Sequence, residues 1–164
     1  NPLDTLTVAG EGLQIGYSFQ NSPWGGFTIA GTKSSQTSGI TDVGIFSLDG
    51  YGELIWELQF GGVYNDVANS IIYSDGGWVV AGQTHTYGNG QGDIWVIKVS
   101  EYGEYLWDHS FGGIYDDNAY HINLASDEGL IISGSSFSLQ SQKNGRLLKT
   151  DTRGNYKGMV EYQP

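Results

Sequence analysis

No cysteine occurs among the 164 residues, so no disulfide staples the fold and no redox compartment can be read from thiol usage. Proline is almost as scarce, at 3 residues, which sets the chain apart from proline-rich disordered segments. Basic residues number 7 against 18 acidic ones, a formal charge of -11. That field repels phosphate backbones and anionic headgroups, so nucleic acid is not an expected partner. No apolar run approaches the roughly 18 residues of a membrane span. The start, Asn1-Pro2-Leu3-Asp4, has no initiator Met and no charged leader running into an apolar stretch. The expectation is a chain matured by leader removal or cut from a longer one. Apolar residues never recur at helical spacing over a dozen positions, and essentially no helix is expected. No Asn-x-Ser/Thr glycosylation sequon is present.

Glycine, in contrast, is abundant at 26 residues, and it recurs at regular turn positions instead of forming a low-complexity tract. A chain of this length is one domain, large enough to bury a continuous core. The glycines expose an internal period. Phe27-Thr-Ile-Ala-Gly31, Trp78-Val-Val-Ala-Gly82 and Leu130-Ile-Ile-Ser-Gly134 are separated by steps of 51 and 52 residues. Other markers keep the step. Asp42 with Val-Gly-Ile-Phe matches Asp93 with Ile-Trp-Val-Ile, Gly52-Glu-Leu-Ile-Trp56 matches Gly103-Glu-Tyr-Leu-Trp107, and Phe60-Gly-Gly62 matches Phe111-Gly-Gly113. The third copy decays: Lys149 and Gly154 align with Lys98 and Gly103, but Gly158 stands where Trp107 was and Tyr162 where Phe111 was.

Each copy reads as four short strands, rich in Val, Ile, Trp, Tyr and Phe and bounded by Gly, Asp, Asn or Ser. The segment Ile94-Trp-Val-Ile-Lys-Val99 is apolar on both alternating faces and must be covered on both sides. Tight turns such as Ser74-Asp-Gly-Gly77 suit antiparallel neighbours. The expected fold is therefore all-β and β-propeller-like: three four-stranded antiparallel blades, at about 13–62, 66–113 and 117–164, plus one leading strand in 1–10. Small residues in each first strand point it inward, and Trp56 and Trp107 place each fourth strand outward. A β-trefoil also has three repeats of four strands and is the alternative. Three blades do not close a ring, so either repeats are missing or copies associate, for instance two chains making six blades.

The blade pattern Asp-Gly-Gly-aromatic-Val-Val-Ala-Gly, then Asp-Ile-Trp-Val-Ile-Lys-Val, Gly-Glu-x-x-Trp and Phe-Gly-Gly-x-x-x-Asp-x-Ala resembles the tandem propeller-type repeats of large secreted and cell-surface proteins of bacteria and archaea. The resemblance is clearest over residues 42 to 134. It implies a β-propeller and a secreted or cell-surface setting, and it implies no particular activity, since most members have none assigned. Those proteins carry more than three repeats.

Candidate ligand-binding residues follow from the copies. Asp66 and Asp117, each after an Asn65 or Asp116, recur behind the paired glycines. They form either a ring of carboxylates able to hold a cation or sugar hydroxyls, or Asx-type turns accepting backbone N–H groups; the turn is the stronger reading. No calcium loop spacing is present. Five Trp and 11 Tyr mostly recur at framework positions and serve packing, while Trp24, Trp78, Tyr64 and Tyr115, beside turns, and Tyr87, in the longest loop, are candidate exposed platforms. His85 opens that loop, which runs to Gln91. His85, His109 and His121 lack metal-ligand spacing, and neither a metal nor a cofactor is expected. Gly88-Asn-Gly-Gln-Gly92 has no following Lys-Ser or Lys-Thr and is read as a hairpin loop. Lys143, Arg146, Lys149, Arg153 and Lys157 crowd the last copy, a basic corner on a solvated rim. The leading expectation is a non-enzymatic extracellular module for protein interaction or assembly that self-associates. A carbohydrate-binding lectin-like propeller and a glycan-active enzyme are the alternatives.

Overall fold

The computed structural model describes residues 14–34, 39–137 and 143–162. Twelve strands and no helix occur among them. The first sheet contains β1 (Gln14–Asn21), β2 (Phe27–Ser34), β3 (Thr41–Leu48) and β4 (Leu54–Phe60). The second contains β5 (Asp66–Ser74), β6 (Gly77–Thr84), β7 (Asp93–Ser100) and β8 (Tyr105–Phe111). The third contains β9 (Asp117–Leu124), β10 (Leu130–Phe137), β11 (Lys143–Thr150) and β12 (Tyr156–Tyr162). Each is an antiparallel meander with its strands in chain order. Every strand pairs within its own set of four, so the barrel of a β-trefoil is not formed among the described residues. The leading strand expected in 1–10 lies outside the described residues.

Sheets stack because their strands are apolar on both faces. In β7, Trp95, Ile97 and Val99 join Ala30, Val43 and Ile45 of the first sheet in one buried cluster with Ile71, Trp78 and Val80. The intervening Ile94 and Val96 join a second cluster with Ile122, Leu130, Ile132 and Leu148 of the third sheet. The middle sheet is therefore covered on both sides, as its alternation requires. Each fully buried large side chain contributes about 1.5–3 kcal/mol relative to exposure, and Trp78, Ile71, Ile97, Ile122 and Leu148 are all at most 1% exposed. Each later first strand packs against the sheet before it, β5 against β1 and β2, and β9 against β5 and β6. Serine stitches repeat there: the Ile71 N–H donates to Ser18 Oγ at 3.3 Å, and the Ile122 N–H to Ser70 Oγ at 3.3 Å.

The repeated glycines have a steric cause. Each first strand carries a bulge, at Tyr17, Asn69 or Tyr120, and opposite it stand Gly31, Gly82 and Gly134. A Cβ on any of these would overlap the carbonyl oxygen of Ile15, Val67 or Asn118. Bulged strand and glycine thus form one device, since the bulge brings backbone onto backbone. The β5–β6 connection is a two-residue turn with Asp75 at φ 46 and Gly76 at φ 68, the paired left-handed conformation of tight hairpins. Lys98, buried in β7, ties that turn down through Asp75, with Nζ 3.3 Å from its carbonyl and 3.7 Å from its carboxylate. Lys149 does the same to Asp127 at 2.6 Å, so the lysine common to both copies is a turn anchor.

Candidate functional site

Six of the eight residues singled out by sequence meet on one edge of the sheets, where β5 and β9 begin and β6 ends. Tyr64, Asp66, His85 and Tyr87 lie at the second sheet, and Tyr115 and Asp117 at the third. Trp24 and Trp78 lie at the opposite edge, beside the β1–β2 and β5–β6 turns.

Asp66 and Asp117 are each 1% exposed. Their carboxylates therefore do not form the open ring for a cation or sugar that the repeat pattern suggests. Asp66 Oδ2 accepts the Gly62 N–H at 3.2 Å and the Thr86 hydroxyl at 2.9 Å, while Oδ1 accepts the Thr84 hydroxyl at 2.5 Å and the His85 N–H at 3.1 Å. Asp117 Oδ2 accepts the Gly113 N–H at 2.9 Å. The spacing Gly-x-x-x-Asp is therefore an Asx-type clasp in which the second glycine donates to the aspartate four residues on. The first glycine of each pair makes room for another carboxylate: a Cβ on Gly61 would strike Asp42, and one on Gly112 would strike Asp93 and meet Asp117.

Buried acids accumulate at the second junction. Asp93 is 2% exposed; burial pushes its carboxyl above the ordinary range, the Asn89 N–H opposes that shift, and the Asp117 charge adds to it. Arg146 answers this charge. Its Nη1 lies 2.6 Å from Asp117 Oδ1 and its Nη2 2.8 Å from a Glu161 oxygen, with only 11% of its side chain exposed. Arg146 is consequently an internal ion-pair partner and not part of a solvated basic rim. It stands opposite Gly134 as Trp95 stands opposite Gly82, so a charge has replaced a core aromatic. Beside it a cavity of about 350 Å³ is lined by Tyr115, Phe137, Asn144, Arg146 and Glu161, among others. Asn144 Oδ1 and Arg146 Nε are buried there without a hydrogen-bond partner.

The remaining candidates are held in place. Tyr87 packs against Trp95 with centroids 5.2 Å apart, and its hydroxyl donates to the Gly61 carbonyl at 2.9 Å. Asn89 N–H donates to Asp93 at 2.9 Å, so the loop after His85 is tied at both ends. His85 Nε2 lies 3.9 Å from Asp116, and both are exposed enough for water to screen the contact. Tyr64 is 61% exposed. Among the described residues no group of three His, Asp or Glu side chains is placed to hold a metal ion. Trp78 is 1% exposed and packs edge-on against Tyr73 at 5.0 Å, which corrects its reading as a surface platform. It is the second residue of β6, on the face turned to the first sheet. Trp24 is 63% exposed.

No protein-family model matches the chain, and no curated protein matches it. A solved structure described as that of "the eukaryotic initiation factor" is similar at a TM-score of 0.49 and 14% identity, over 93% of this chain and 34% of that one. The chain thus spans about a third of that structure's length.

Proposed function

We propose that this chain is a non-enzymatic β-propeller module of a secreted or cell-surface protein, serving protein interaction or assembly, with its ring completed by further copies or further repeats. One observation carries the reading: the middle sheet is covered on both faces, whereas the outer sheets are each covered on one. On the free face of the first sheet Phe19 and Phe27 are 63% and 39% exposed and stack edge-on at 6.2 Å. They border a hollow of about 420 Å³ that reaches Gly16, Ile29 and Leu48. On the third sheet Leu147 is 44% exposed, although Val96 at the matching register is 0%. Exposed apolar faces of this kind mark association surfaces, and the repeated sheet-on-sheet contact supplies a way for one to be covered by another. The backbone and hydroxyl donors that occupy Asp66, and the Gly113 N–H and Arg146 guanidinium that hold Asp117, support a scaffold role for these carboxylates.

Light scattering after size exclusion tests the assembly. The expected mass is a multiple of 17.8 kDa, and Phe19→Asp should lower it. A stable monomer that binds no apolar dye would refute the reading.

A further inference from the structure

The groove between the first and second sheets, on the edge away from the aspartate clasps, combines repeated turn and framework residues with an insertion particular to the first sheet. The β1–β2 connection runs Ser22 to Gly26, with Gly25 N–H donating to the Ser22 carbonyl at 3.1 Å. The matching connection in the second sheet is only Asp75-Gly76. The extra length carries Trp24, which leans on Tyr73 edge-on at 5.8 Å yet leaves most of its ring in solvent. Across the groove stands Tyr102, 75% exposed, on the β7–β8 turn. Its phenol pKa is raised, chiefly by a hydrogen bond to the Glu101 carboxylate. That carboxylate also accepts the Tyr73 hydroxyl at 3.4 Å, and the Glu101 carbonyl accepts the Trp56 indole N–H at 3.1 Å. Trp56 is further pinned over Gly103, where a Cβ would strike its ring. Trp24 is thus backed by Tyr73, whose hydroxyl reaches Glu101, and Tyr102 stands beside the same carboxylate.

The space between them is about 460 Å³, lined by Trp24, Asp49, Ile55, Trp56, Glu101 and Tyr102 among others. This lies within the range of small-ligand clefts. Asp49, which lines the groove, has its Oδ1 fixed by the Tyr51 and Glu53 N–H groups at 2.8 and 2.9 Å. No basic side chain lines the groove. Aromatic rings offer a face to C–H groups, and ionised carboxylates are acceptors only. The matching ligand has an apolar ring face, several hydroxyl donors and no negative charge.

We infer that this groove binds a neutral oligosaccharide, one pyranose stacking on Trp24 and its hydroxyls donating to Asp49 and Glu101. The site is made within one chain, so it stands or falls separately from ring completion. An array of immobilised neutral and acidic glycans, probed with the intact chain, should retain it on a neutral class, and the selected soluble oligosaccharide should change its tryptophan fluorescence. Trp24→Ala and Tyr102→Ala should each weaken that binding by about tenfold, while Phe19→Ala should leave it unchanged. Retention on no neutral glycan overturns the inference, as does binding indifferent to both groove variants. Competition by tetramethylammonium chloride at matched ionic strength would also overturn it, assigning the rings to a cation instead.

Discussion

Replacing Arg146 by methionine is a sharp test of the charge arrangement at the second junction. The substitution keeps an unbranched apolar stem but removes the guanidinium that lies 2.6 Å from Asp117 and 2.8 Å from Glu161. Glu161 is 33% exposed along its side chain, so water takes over its solvation at little cost. Asp117, with a side chain 2% exposed, keeps only the Gly113 N–H. Breaking a buried pair by removing one partner costs about 3–5 kcal/mol, mostly for the stranded charge. With a urea m-value of about 2 kcal/mol/M, the unfolding midpoint falls by roughly 1.5–2.5 M. The companion Asp117→Asn removes the stranded charge and retains an acceptor for Gly113. The double variant should therefore recover part of the loss, giving a coupling energy of about 2–3 kcal/mol between the two sites. Urea unfolding of the native chain, both single variants and the double variant measures it. A midpoint unmoved by Arg146→Met, or losses that simply add, would refute the assignment of Arg146 as the counter-ion of Asp117.

Two further outcomes follow from backbone crowding and burial. Gly82→Ala places a methyl against the Val67 carbonyl and should destabilise the chain by about 1–3 kcal/mol or more through forced backbone shifts; Gly158→Ala, with nothing within 4 Å, should stay within about 0.5 kcal/mol, and equal thermal midpoints for the two would contradict the bulge argument. Burial holds the folded pKa of Asp93 above its unfolded value, so its ionisation destabilises the fold at neutral pH and is relieved as pH falls through the raised pKa toward about 4. Asp93→Asn should lose that share of the acid stabilisation, and a stability difference from the native chain that stays constant between pH 7 and 4.5 would contradict it.

The architecture was legible because framework positions answer to backbone constraints that every copy shares. Gly31, Gly82 and Gly134 recur since one bulge recurs, and Phe-Gly-Gly-x-x-x-Asp recurs since one clasp recurs. The two-faced apolar character of Ile94 to Val99 announced that the middle sheet is covered on both sides. Other features were hidden for physical reasons. Trp78 adjoins a turn along the chain, but β6 is buried on both faces from its first residue, so nearness to a turn says nothing of exposure there. Arg146 reads as surface charge because its partner Asp117 belongs to a different strand, joined only by β10 between them. The groove at Trp24 joins turns of two copies, so no spacing within a single copy could signal it.

The same comparison of copies separates what supports the fold from what individualises it. In the first two sheets the fourth strand supplies a tryptophan that covers the turn glycine of the next sheet: Trp56 lies over Gly103, and Trp107 over Gly154. In the third sheet that register, opposite Lys149 as Trp107 is opposite Lys98, is held by Gly158. No ring projects there, and Leu147 and Val160 on the same face are exposed. Under the proposed ring, bulk at this junction has to come from the opposing sheet. Phe19 and Phe27 on the free face of the first sheet provide large, accessible rings of the required kind, whereas the other first strands carry Ile71 and Ile122 at the register of Phe19. Loss of a ring on one terminal face and gain of one on the other are the two halves expected of surfaces that meet each other, which makes Phe19 the residue on which the proposed assembly most directly depends.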